Sequence, residues 1–199
     1  TQTKLATGKR VNSALDNPIN FFTAQGLNNR ASDLSNLLDA MSNGMATIQA
    51  ANNGITSITK LVQSAQALTS QALQTTDTTV RASLSVQFDA IRTQISQLAA
   101  DAGFNGINLL NSTASANLPL TLNESGTSTV TVSAVNFTAT GLGLNTAANN
   151  WALTANIAAA STDLSAALTS LRSQAQSFGS TLSTVQIRQD FTKAMINTL

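Results

Sequence analysis

The 199-residue chain has no cysteine, no histidine and no tyrosine. Without cysteine it has no disulfides, no thiolate metal sites and no cysteine nucleophile. Charged residues are only 10% of the chain, against a usual quarter, and the net charge is +1. The ten basic residues are scattered, with Lys9–Arg10 the only adjacent pair. A nucleic-acid partner needs clustered Lys and Arg, so that class is set aside. No apolar run approaches the roughly 20 residues of a membrane helix, so no membrane partner is expected. Proline occurs twice, at Pro18 and Pro119. No secretory signal is visible at the start. The chain opens without Met at Thr1-Gln-Thr-Lys and stops inside a repeating pattern at Met195-Ile-Asn-Thr-Leu199. Both ends are read as truncated.

What is present is periodicity. From Leu34 an apolar residue recurs every seven positions through Met41, Ile48, Ile55 and Val62. Leu38 and Met45 fill the intermediate position, and Ile58 and Ala65 widen the stripe. Five heptads in one frame predict a long helix packed in a coiled-coil-like bundle. Pro18 suits the first turn of that helix, with Asp16 and Asn17 as cap residues. Gly26, Gly44 and Gly54 lie inside it, each costing about 1 kcal/mol relative to Ala, so packing must hold it. The polar run Gln74-Thr-Thr-Asp-Thr-Thr79 predicts a turn, with Asp77 or a neighbouring Thr as the next cap. Leu84, Phe88, Ile91, Ile95 and Leu98 then predict a second amphipathic helix ending near Gly103, a candidate C-cap. Ile157, Leu164, Leu171, Phe178 and Val185 form a matching seven-residue series towards the end, with Leu168, Ala175, Leu182 and Ile196 at its second position. The expected bundle core is Leu34, Met41, Ile48 and Ile55 against Leu164, Leu171, Phe178 and Val185.

Between the helical stretches the pattern changes. Leu118, Leu120 and Leu122 alternate with polar residues and proline, as do Val130 and Val132 within Thr127-Ser-Thr-Val-Thr-Val-Ser133. Such alternation predicts two half-buried strands, joined by a turn at Glu124-Ser-Gly126. The fold is therefore expected to be mainly α, a long coiled-coil-like rod with a small β-rich insert. Residues 1–111 form the N-terminal rod segment, 112–150 the insert, and 151–199 the rod helix that completes the bundle.

Four stretches carry a family resemblance. Thr7-Gly-Lys-Arg-Val-Asn-Ser-Ala-Leu-Asp-Asn-Pro18 resembles the N-terminal signature of bacterial flagellins. Ile48-Gln-Ala-Ala-Asn-Asn-Gly54 resembles their first rod helix. Phe104-Asn-Gly-Ile-Asn-Leu-Leu110 resembles the F-N-G-x-x-L-L motif that ends the N-terminal helical hairpin. Phe178-Gly-Ser-Thr-Leu-Ser-Thr-Val-Gln-Ile-Arg188 resembles the L-G-x-x-Q-N-R region of the C-terminal rod helix. Phe21-Phe-Thr-Ala-Gln25 is similar to alphaproteobacterial flagellins. The resemblance implies a structural subunit of the extracellular flagellar filament, a homopolymer in its full-length form. It further implies contacts with neighbouring flagellar axial proteins and an export chaperone, and a fragment that stays monomeric without its inner-tube helices. By the same resemblance Lys9, Arg10, Asn12 and Asp16 are candidate subunit contacts. The alternative is a flagellin-like cell-surface protein that binds a ligand such as a polysaccharide through its insert.

No enzyme is expected: no catalytic, cofactor-binding or metal residues emerge, and no cofactor is implied. Gly8-Lys9-Arg10 fails as a P-loop because Thr3 and Arg10 break the pattern. Asp89 with Arg92, and Arg30 with Asp33, are spaced as helical surface pairs. Asn111, Asn123 and Asn136 head N-x-[ST] triplets that an Asn- and Ser/Thr-rich segment yields by chance. Trp151 is expected to anchor the insert where it rejoins the bundle, with a sugar platform as the competing role.

Overall fold

The computed structural model describes residues 18–114 and 117–199. Helix α1 spans Pro18–Leu73, α2 Thr78–Asp101 and α3 Thr154–Thr198. Strands β1, Leu118–Thr121, and β2, Thr129–Val132, pair antiparallel with Leu118 opposite Val132 and Thr121 opposite Thr129. A short left-handed turn at Ala148–Trp151 precedes α3. The architecture is a mainly α rod with a small two-stranded sheet. Asp16, proposed as a cap for α1, lies outside the described residues, as does Asn17.

Helix α1 packs on both α2 and α3. Gln189 donates to Ser42 at 2.6 Å, while Leu168, Leu171 and Arg172 line one groove with Ile55, Thr59 and Lys60. Moving up α1 therefore moves down α3, and the two run antiparallel. Leu34, Met41, Ile48, Ile55, Leu164, Leu171, Phe178 and Val185 are all buried.

The second core row of α1 differs from the sequence expectation. Leu38 and Met45 are only partly buried; the buried row is Leu37, Gly44, Ala51, Ile58, Ala65 and Ala72. That row sits three residues after each Leu34-series position, as a coiled-coil seam does. Close approach of other chain segments accounts for Gly44 in that row and for Gly54 outside it. A Cβ on Gly44 would meet the Leu120 side chain, and one on Gly54 would come within 2.7 Å of both Ala102 and Leu110. These glycines weaken the helix locally but create room for the partners they receive.

The segment between α2 and α3 shares this core rather than standing apart from it. Leu118, Leu120, Leu122, Val132, Phe137, Leu142 and Leu144 are buried in one cluster with the helices. The polar interior is satisfied mostly locally. Thr47, Thr69, Ser85 and Thr192 are buried and donate to carbonyls three or four residues back in their own helices. That economy is how a chain poor in charge and rich in Ser and Thr builds a rod.

Candidate assembly surfaces and the contacts that shape them

Three junctions give the rod its surfaces. The first follows α2. Gly103, expected as a left-handed cap, does not adopt that conformation; Asn105 (φ 53) and Gly106 (φ 81) do. They form a tight turn that closes Phe104 on Ile107, with N–H···O distances of 2.9 and 3.1 Å in the two directions. Asn108 Nδ2 then donates to Ala99 O at 2.7 Å and Ala100 O at 3.0 Å, covering carbonyls left open at the helix end. Its Oδ1 accepts from Leu110 N–H at 2.9 Å, and Leu109 and Leu110 are fully buried. Asn105, Gly106, Asn108, Leu109 and Leu110 of this run thus each have a geometric task.

The second junction fastens the sheet to the rod. Leu120 sits on Gly44. Arg188 donates from Nη2 to Leu122 O at 3.2 Å. Arg30 pairs with Glu124 at 2.6 Å, instead of with Asp33 as spacing alone predicts. A charge 94 residues away competes successfully because the hairpin turn is brought against α1. Further along, Asp89 accepts from Ala147 N–H and also lies 4.0 Å from Arg92, which in turn donates to Leu144 O at 2.8 Å. This pair holds a loop as well as decorating a surface.

The third junction joins the end of α1 to the starts of α2 and α3. Asp77 caps α2, accepting from Thr79 N–H at 2.9 Å. Arg81 is buried, and among the described residues no acid pairs with it. Its Nε donates to Thr75 O at 2.9 Å and Ala72 O at 3.2 Å; Nη1 reaches Ala152 O and Nη2 Thr154 Oγ1, both at 3.2 Å. A cation facing the C-terminal carbonyls of α1 is also favoured by the helix dipole. Trp151 is fully buried with its ring 5.0 Å from Phe88, so it cannot serve as a sugar platform. It follows Asn149 and Asn150 in a run of three left-handed residues, with φ 51, 50 and 58. Left-handed backbone costs roughly 1–2 kcal/mol for a residue with a Cβ, least for Asn, and here it brings the indole into the core. Sequence reasoning missed Arg81. Its signal was a lone basic residue just inside a helix start, where acids are favoured.

The remaining sequence candidates fall as follows. Lys9, Arg10 and Asn12 lie, like Asp16, outside the described residues. Asn123 and Asn136 are engaged through their side chains in local turns, and Asn111 accepts from Thr113. The cleft of about 300 Å³ beneath β1 is lined by Gly44, Thr47, Ile107, Pro119 and similar uncharged groups. Among the described residues no helix is long and apolar enough to cross a membrane.

The comparisons place this helical rod with its small docked sheet in a family. Residues 1–115 match the bacterial flagellin N-terminal helical region. The flagellins FljO and FljM of Caulobacter vibrioides are each 32% identical to the chain, over 73% and 72% of its length. The chain spans about half the length of these relatives, 53% and 52%. A crystal structure of Bacillus cereus flagellin superposes with a TM-score of 0.66 at 22% identity, covering 79% of this chain and 88% of that one. The chain belongs to the bacterial flagellin family.

Proposed function

We propose that the protein is a structural subunit of the extracellular flagellar filament, acting by self-assembly for motility, and is not an enzyme. The observation that carries this reading is the antiparallel α1–α3 seam. It runs the first and last long helices of a flagellin-family chain side by side, so segments far apart in the sequence contribute to one rod. A subunit that polymerises needs a contact that repeats without closing on itself, and a stiff rod with different groups at its two ends can supply one. The division into a rod segment at 1–111, an insert at 112–150 and a closing helix at 151–199 is part of the proposal. So are axial contacts from Lys9, Arg10, Asn12 and Asp16, a monomeric state for the 199-residue chain on its own, and contacts with neighbouring axial proteins and an export chaperone. Exposed charge contacts contribute about 0–1 kcal/mol each, so four of them alone would not hold subunits together.

Electron microscopy of the protein with the full length of its relatives tests the reading. Filaments formed after seeding support it. A full-length protein that never polymerises, yet binds a surface polysaccharide, would overturn it. Light scattering on the 199-residue chain should report a monomer.

A further inference from the structure

The sequence holds three Asn-Gly pairs, Asn43-Gly44, Asn53-Gly54 and Asn105-Gly106. In such a pair the backbone nitrogen after asparagine can attack the side-chain amide, because glycine has no side chain to block the approach. The reaction is intramolecular, so geometry decides whether it proceeds. All three asparagines have the same following residue, and the fold treats them differently.

Two of the pairs are locked. Asn43-Gly44 and Asn53-Gly54 lie within α1, where each glycine N–H belongs to the helical hydrogen-bond ladder. Both glycines are buried, Gly44 against Leu120 and Gly54 against Leu110 and Ala102. Asn53 also accepts from Gln49 Nε2 at 3.2 Å. Bringing either glycine nitrogen onto its asparagine Cγ requires local opening of the helix on its buried side. Asn105-Gly106 is placed otherwise. Both residues are exposed, in the left-handed turn at φ 53 and 81. The reciprocal Phe104–Ile107 bonds close this turn from its two ends. Among the described residues no hydrogen bond engages the Asn105 side chain or the Gly106 N–H. A Cβ built on Gly106 meets nothing within 4 Å, so the backbone there has room to turn.

We propose that Asn105 is a deamidation site selected by the fold. The Gly106 nitrogen attacks Asn105 Cγ. A C–N bond forms, the Cγ–Nδ2 bond breaks, and ammonia leaves with the amide proton. The product is a five-membered succinimide. Water adds to one of its two carbonyls and opens the ring, giving aspartate or its β-linked isomer. The balance is amide plus water to carboxylic acid plus ammonia, and water is the only co-reactant. Either product places a carboxylate in the turn. The β-linked product also adds a backbone carbon between Phe104 and Ile107, so their bonds of 2.9 and 3.1 Å cannot both be kept. The turn leads into Asn108, which covers the end of α2, and Leu110, which rests on Gly54. Deamidation therefore loosens the junction that follows α2.

The chain supplies its own controls. The purified protein is aged in warm, mildly alkaline buffer, digested with chymotrypsin at intervals and mapped by mass spectrometry. An isoaspartyl methyltransferase labels the β-linked product. Asn105 should convert at least about tenfold faster than Asn43 or Asn53, a ratio that a small difference in barrier produces. In urea the three should convert at similar rates. Equal rates in the folded chain, or a preference for Asn105 that survives unfolding, would overturn selection by the fold. Asn105→Gly keeps a residue suited to positive φ and should remove the isoaspartyl label. A label of unchanged intensity in that variant would overturn the assignment to Asn105. Aged wild-type protein should also melt earlier than Asn105→Gly aged beside it. Equal melting would show that the junction after α2 does not depend on an intact Asn105.

Discussion

Along the α1–α3 seam the same kind of contact recurs every seven residues, whereas between Phe104 and Trp151 almost no contact is made twice. Leu34, Met41, Ile48 and Ile55 do one job in four places, and Leu164, Leu171, Phe178 and Val185 do its counterpart. In the other region Asn108 covers a helix end, Asn123 organises a hairpin turn, Ala139 N–H donates to Ser96 on α2, and Leu120 fills the space over one glycine. Repetition tolerates variation at any one position. Single-use contacts do not, and the rod depends on both because the second region shares its core.

The largest effect is expected at the seam. Ile48 is fully buried, and Ile48→Asp would place an unpaired charge there at a cost of several kcal/mol. Far-UV circular dichroism should show melting well below that of the parent. An unchanged curve would mean that the seam does not pass through Ile48.

The same contrast governs what the sequence reveals. A heptad frame is visible because a side chain's burial depends only on its place in the period, and Ile48 or Phe178 can be placed by counting. Ile58 and Ala65 of the second row of α1 were legible as a widening of the stripe, but Gly44 and Ala51 escaped because they look like spacers. Gly44 is covered by Leu120, and Gly54 by Leu110 and Ala102, which arrive from elsewhere, and arrivals have no period. Arg81 illustrates the limit. Its partners lie at Ala72, Thr75, Ala152 and Thr154, and only the folded chain brings them to one guanidinium. Strand alternation in Leu118–Leu122 and Thr129–Val132 was readable, and so was the Asp77 cap, because both are local rules.

Arg81 should give the next largest effect. Arg81→Met keeps volume and apolar stem but leaves buried carbonyls without donors, at a cost of roughly 2–4 kcal/mol. Because Trp151 is the only tryptophan, its fluorescence reports on the same junction. The variant should melt earlier and show a red-shifted emission when the indole gains access to water. A loss of stability with no change in emission would separate Arg81 from the Trp151 turn.

Asn108→Ala should cost less, about 1–2 kcal/mol, because it leaves the Ala99 and Ala100 carbonyls and the Leu110 N–H without their partner. Hydrogen exchange should localise the loss to the last turn of α2 and the residues up to Leu110, with the middle of the α1–α3 seam unchanged. Uniform loss of protection along the rod would show that the junction and the seam unfold as one unit.

The smallest effects test the comparison most sharply, through two glycines in the same helix. Gly26 faces open space, and a Cβ there meets nothing within 4 Å. Gly26→Ala should therefore stabilise α1 by about 0.5–1 kcal/mol, the usual gain for that exchange in a helix interior. Gly54→Ala gains the same propensity, but its new methyl lands 2.7 Å from the Cβ of Ala102 and from Leu110 Cδ1. The Ala102 contact cannot be relieved by turning a side chain, so the backbone after α2 must move, and overpacking of this kind costs about 1–3 kcal/mol. The net change at Gly54 should be a loss, opposite in sign to that at Gly26. Thermal melts of the two single variants decide the matter. Stabilisation by both would mean that the Phe104–Leu110 turn does not rest on α1, and that the seam holds the rod without it.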